Sequence, residues 1–414
     1  VVRTASLLPL LLLSLQGRPA AQEGTGFLAR ALELRKEGKI GRALEMVDRG
    51  LAQHPKAGKL LLLRGSLLFR LKRYEESAAA FRAAASAGAG PAAREGLALA
   101  ALEAGRPAEA LEGAASALEG GRRGYSLLLA GGRAALELGR PGESIPWFRR
   151  ALMVRPAGVE ARAFLARALL EAGRPGEAAN TAREGIAALG PAPALIRTLA
   201  AALLETGGEE EAADDLEFLA RTGKASPRDL AALGDLELRL GLPRRALVFY
   251  RAARAGGLEG KEQIHREALA LWAAGELGKA RALFLSLGPR TPPSWWVEIG
   301  RLRLAENDLE GAAGAFRKAL EGDPESLEAR LWLGRTALAR GDLEGAERAF
   351  RLLLTRGKEK RAAYLGLARV WERRGDLREA LAMLRRARAA APGDPEILGR
   401  LLEVERALGE GEQP

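Results

Sequence analysis

Residues 332–354 read WLGRTALARGDLEGAERAFRLLL. Two stretches with helical apolar spacing flank the pair Gly341-Asp342, and a glycine after a periodic stretch is a helix stop. Small residues stand at Gly334 and Ala346, and an aromatic, Phe350, follows Ala346 by one helical turn. The segment therefore reads as two helices folded back on each other, with small residues where the helices cross. The same arrangement recurs at 366–388 (GLARVWERRGDLREALAMLRRAR), 298–320 (EIGRLRLAENDLEGAAGAFRKAL), 164–186 (FLARALLEAGRPGEAANTAREGI) and 130–152 (AGGRAALELGRPGESIPWFRRAL).

The small residue after each turn gives the register. It falls at Ala43, Ser77, Ala110, Ser144, Ala178, Ala212, Ala246, Ala280, Ala312, Ala346 and Ala380, spaced by 34, 33, 34, 34, 34, 34, 34, 32, 34 and 34 residues. Spacing, small residues and aromatics together resemble the tetratricopeptide repeat family. Neither helix of such a hairpin can bury its apolar face alone, so the copies must stack. The expected fold is all-α: an α-solenoid, a right-handed superhelix of about eleven hairpins, closed by a C-terminal capping helix. The array is expected over 24–290 (repeats 1–8) and 291–394 (repeats 9–11), with the cap and tail at 395–414. The small first-helix positions Ala31, Gly65, Ala166, Gly234, Gly300, Gly334 and Ala368 should admit Phe81, Phe148, Tyr250, Phe284, Phe316 and Phe350 into the gaps between hairpins. Pro55, Pro156, Pro324 and Pro392 should end second helices. Changes of path are expected at LGPRTPPSWW (287–296), where one repeat loses two residues, and around 87–96.

The chain of 414 residues contains no Cys and two His, which excludes disulfides, thiolate metal sites and thiol catalysis. A Ser-His-Asp site requires a His beside the nucleophile. His54 precedes the helix-ending Pro55 and reads as a helix-end residue, and His265 reads as a packing or surface residue near Trp272. No catalytic, metal or cofactor constellation is expected. The acidic run EEEAADDLEF (209–218) reads as a solvated helix face, its sharper alternative being a patch for a basic partner or Ca²⁺. The net charge of +11 is concentrated at one end: residues 26–90 hold thirteen Lys or Arg against six Asp or Glu. The excess is confined to the first two repeats and not sustained along the chain as the basic stripe of a nucleic-acid protein would be, which argues against nucleic acid. The basic first repeats suit peripheral contact with an anionic membrane or an acidic partner.

Arg3, the apolar run Leu7–Leu15 and the small residues Ala20 and Ala21 have the three-part form of a secretory signal peptide, expected over 1–22. The run is about half the roughly 20 residues that span a bilayer. An exported protein of the periplasm or cell envelope is expected, and the absence of Cys excludes a lipoprotein anchor.

The family resemblance implies that first helices line a groove holding a peptide or partner helix. Matched to it, Arg133, Arg167, Arg301, Arg335 and Arg369 take one equivalent position, and Leu304 and Leu338 lie three residues beyond their Arg. Arg133 and Arg167 are expected to be satisfied by Glu137 and Glu171 four residues on, whereas Arg301 and Arg335 meet Ala305 and Ala339, and Arg369 meets Arg373. Trp272 and an outward Trp295 complete the expected surface. An acidic, partly apolar protein segment is the expected partner, because the Arg fork accepts carboxylates bidentately. A non-enzymatic envelope scaffold is the expected function. The alternative is an anionic polysaccharide-binding component of an exopolysaccharide export machine. The carboxylate clamp by which some family members hold chaperone tails is not matched, since Asn180 and Asn307 lie outside first helices.

Overall fold

The structure, a computed structural model, describes residues 24–288, 290–355 and 359–410; the signal segment expected at 1–22 lies outside them. The described residues form twenty-three α-helices and no strand. α1 (Thr25–Lys36) and α2 (Ile40–Gln53) make the first hairpin, α21 (Lys360–Arg374) and α22 (Leu377–Ala390) the eleventh, and α23 (Pro395–Glu410) follows unpaired in sequence. No described helix is long and apolar enough to cross a membrane. The helices fall into two compact units, Val1–Ala225 and Ser226–Pro414.

One turn recurs through all eleven hairpins. Its central residue has positive φ, as at Gly38 (77°), Gly173 (71°) and Gly375 (83°). The next residue's N–H then reaches the carbonyl five residues back: Lys39 to Leu34 (2.9 Å), Arg174 to Leu169 (2.9 Å), Asp376 to Trp371 (3.0 Å). This Schellman closure satisfies carbonyls that the end of the first helix leaves open. Lys72 (59°) and Asn307 (61°) hold the left-handed position where the other nine hairpins have Gly. The second helices stop before the expected prolines: α2 at Gln53, α8 (Pro141–Val154) before Pro156, α18 (Leu309–Gly322) before Pro324, and α22 before Pro392. The two-residue deletion is accommodated near α16 (Leu277–Ser286), which has ten residues where its counterparts have thirteen to fifteen.

The core repeats with the hairpin. The marker residues Ala43, Ser77, Ala110, Ser144, Ala178, Ala212, Ala246, Ala280, Ala312, Ala346 and Ala380 are all fully buried. Phe148, Tyr250 and Phe316 are fully buried and Phe350 is 1% exposed. Each is a wedge against a glycine: a Cβ added to Gly234 would lie 2.5 Å from Tyr250, and one on Gly300 2.5 Å from Phe316. Phe350 is held from two sides, by Gly334 of its own hairpin and Gly366 of the next. Phe81 sits likewise between Gly65 and Gly96. Burying such a ring contributes about 1.5–3 kcal/mol, so the aromatics tie successive hairpins together.

α23 packs Ile397, Leu401 and Val404 inward. Its outer face is not uniformly polar, because Leu402 is 65% and Leu398 39% exposed beside Glu403 and Arg406. Arg400 points back and donates to Glu372 of α21.

Candidate functional site

The second unit carries most of the predicted site on consecutive first helices. Trp272 lies on α15 (Lys261–Ala273), Trp295, Arg301 and Leu304 on α17 (Pro293–Ala305), Arg335 and Leu338 on α19 (Leu327–Arg340), and Arg369 on α21. The Arg301 guanidinium lies 5.5 Å from the Trp272 ring centre and 5.3 Å from that of Trp332, and the Arg335 guanidinium lies 4.8 Å from the Trp332 ring centre. The result is a row, Trp272–Arg301–Trp332–Arg335, in which cations and indoles are interleaved. Each such contact is worth about 0.5–1 kcal/mol at an exposed site and orients a side chain that would otherwise be mobile. Leu304 and Leu338, on the same helices, are half-buried and packed against the hydrophobic core. Trp332, which completes the row, was not among the residues expected from sequence. The signal for it was present, since it stands three residues before Arg335 on one helix face.

The Arg pairings differ from those the helix spacing suggests. Arg133 on α7 (Tyr125–Glu137) donates to Glu103 of α5 (Pro91–Glu103) at 3.2 Å, not to Glu137, because a long side chain lying across the neighbouring first helix finds a carboxylate there. It also stands 5.9 Å from the Phe164 ring centre. Arg167 does pair with Glu171, at 2.6 Å. Arg301 approaches Glu328 of the next hairpin at 3.9 Å, and Arg369 pairs with Glu396 of α23 instead of facing Arg373 unrelieved. Arg335 makes no ion pair among the described residues. Burial, and then the charge of Arg369, hold its guanidinium below the ordinary arginine value.

Trp295 does not project freely outward. It is half-buried, and its ring stacks on the imidazole of His265 at 4.0 Å with 10° between the planes. His265 is 6% exposed, meets the Phe284 ring edge-on at 5.9 Å, and hydrogen-bonds Glu298 of α17 through Nε2. The imidazole therefore fills the joint between the hairpins that flank the deletion. Nearby, the Tyr250 hydroxyl donates to Asp235 at 2.8 Å, and Arg266 donates to the same carboxylate oxygen at 3.0 Å. Burial, then the Asp235 charge, push the Tyr250 hydroxyl well above the usual tyrosine value, so it remains a donor.

In the first unit the acidic run forms α12 (Glu209–Arg221). Arg183 donates to Glu211 at 2.9 Å. Asp215 is half-buried, and burial pushes its carboxyl up to about 6 against the opposing charge of Arg183. No group of three His, Asp or Glu that could hold a metal ion occurs among the described residues.

Models of the tetratricopeptide repeat match residues 28–92, 135–203 and 303–370, the first beginning within α1 and the other two near the ends of α7 and α17. This chain carries tetratricopeptide repeats. No catalytic family is among the matches, and no curated protein matches the chain. Among solved structures, a tetratricopeptide repeat protein from Parabacteroides merdae is 18% identical, over 60% of this chain and 99% of that one, with a TM-score of 0.46. The C-terminal part of a repeat-containing protein from Cytophaga hutchinsonii is 19% identical over 57% of this chain and 98% of its own, with a TM-score of 0.47. YrrB, described as a tetratricopeptide repeat protein with an unusual peptide-binding site, is 18% identical over 44% of this chain and 95% of its own, at a TM-score of 0.41. At these identities and scores the likenesses carry nothing beyond the repeat itself. Tetratricopeptide repeat proteins typically bind proteins or peptides as scaffolds.

Proposed function

We propose that this tetratricopeptide repeat protein is a non-enzymatic scaffold of the bacterial cell envelope, and that it holds an acidic, partly apolar protein segment against the first helices of its second unit. The observation that carries the reading is the half-exposed row of alternating indole and guanidinium on α15, α17 and α19. Its groups offer bidentate hydrogen bonds to carboxylates and flat apolar surface within one strip, and Trp and Arg are the residues enriched where binding energy concentrates. Envelope placement is supported by the signal-like segment at 1–22.

The test is capture of a peptide array by the full chain and by a variant carrying Arg301→Glu, Arg335→Glu and Arg369→Glu. Charge reversal should abolish capture of acidic peptides while leaving helicity unchanged. Undiminished capture by the reversed variant would show the row to be surface decoration. Export is tested separately, by fusing residues 1–22 to a reporter active only outside the cytoplasm; a silent reporter would remove the envelope from the reading.

A further inference from the structure

The second unit contains a ladder with one missing rung. Arg301, Arg335 and Arg369 are separated by one repeat each, and so are residues 328, 362 and 396 at the starts of the following first helices. Each Arg is thus matched to the position 27 residues ahead. Arg301 meets Glu328 and Arg369 meets Glu396. The position 27 residues ahead of Arg335 is 362, which is Ala. Its own helix gives no substitute, since Leu331 and Ala339 stand four residues to either side. Glu396 is also engaged, because it accepts from Arg361 (3.3 Å) as well as from Arg369.

Arg335 is therefore a partly exposed cation over an indole, beside Arg301 and Arg369, each of which has a carboxylate partner. Trp332 lies against the guanidinium, whose N–H donors make no ion pair among the described residues and suit a planar acceptor. Half-buried Leu331 and Leu338 are neighbours of Arg335 on the same helix. A carboxylate placed there would complete the ladder from outside, and an apolar side chain beside it would cover the leucines.

We propose that Arg335 is the anchor for one Asp or Glu side chain of a bound protein segment, the partner's carboxylate standing where Ala362 leaves the ladder without an acid. This rests on the reading of the first-helix row as a protein-binding surface and names its specificity-determining contact. A polyuronate would supply the carboxylate but no branched apolar side chain for Leu331 and Leu338, so the observations favour a peptide.

The experiment measures fluorescence anisotropy of two labelled peptides with the full chain, one alternating Glu with Leu and one alternating Gln with Leu. The Glu peptide should bind about ten- to hundred-fold more tightly, as expected for a charge-assisted pair. Arg335→Gln should erase that ratio. Ala362→Glu should erase it as well, by filling the gap internally, while Ala362→Gln should preserve it. Unchanged helicity in far-ultraviolet circular dichroism accompanies each variant. Persistence of the ratio in Ala362→Glu would overturn the anchor. Equal binding of both peptides to every form would overturn the anchor and leave the binding surface standing. Binding of neither peptide would overturn both. Binding of a uronate oligomer in place of the Glu peptide would overturn the choice of a protein partner.

Discussion

Replacing Gly300 with Ala adds one methyl group at the tightest kind of contact in this fold. The new Cβ would lie 2.5 Å from Cε1, 2.7 Å from Cζ and 2.8 Å from Cδ1 of Phe316. Carbon atoms rest at about 3.5–4.0 Å, so the ring must retreat by about 1 Å. It has little room, because Phe316 is fully buried and the Trp332 ring lies nearly parallel to it at 6.4 Å. Overpacking of this kind costs about 1–3 kcal/mol. Ala is favoured over Gly within a helix by about 1 kcal/mol, which offsets part of the cost. The expected net effect is a loss of about 1 kcal/mol. Gly314 is the internal control: it lies within α18, and a Cβ there would meet nothing within 4 Å. Gly314→Ala should therefore stabilise by about 1 kcal/mol, opposite in sign to Gly300→Ala.

Urea denaturation followed by far-ultraviolet circular dichroism compares the midpoints of the two variants. Repeat arrays can unfold segment by segment, so amide hydrogen exchange in α17 and α18 should accompany it. Combining Gly300→Ala with Phe316→Leu should cost less than the sum of the single changes, by about 1 kcal/mol, because the smaller side chain vacates the space the methyl needs. Gly300→Ala stabilising the chain as much as Gly314→Ala would refute the wedge.

Other expectations follow from single residues. Lys72 occupies the left-handed turn position at φ 59°, so Lys72→Gly should raise the urea midpoint, with a gain of about 1 kcal/mol. The Asp215 carboxyl is raised to about 6, so the folded state binds its proton more tightly than the unfolded chain does. That contribution is complete below the ordinary carboxylate range and is lost as pH rises through about 6. Denaturation midpoints across this window should fall less steeply for Asp215→Asn than for the wild type, and identical slopes would deny the shift.

Much of the fold was legible because the information is local and repeated. The left-handed turn, the marker Ala and the aromatic one helical turn after it each satisfy a short-range steric requirement, and each recurs at nearly constant spacing. Ion pairing was less legible. Spacing within a helix suggested Arg133 with Glu137, whereas the structure pairs Arg133 with Glu103, thirty residues back. Partner choice there depends on how neighbouring first helices lie side by side, a relation that appears in sequence only when positions 27 to 30 residues apart are compared. The environment of Trp295 is hidden in sequence for a related reason. Its companion, His265, stands on the far side of the shortened repeat, where the regular period no longer aligns the two. Spacing within a helix leaves both Arg301 and Arg335 without a partner, and what distinguishes Arg335 lies at Ala362.

The placement of Phe350 between Gly334 and Gly366 bears on how such an array can be cut and rejoined. A transplanted segment bounded by the ends of one hairpin would carry the plug and abandon half of its socket. The natural unit of exchange is therefore out of phase with the helices: it ends inside the following first helix, beyond Gly366. Chimeras joined there should keep their seams closed, and those joined at the preceding loop should leak at the seam.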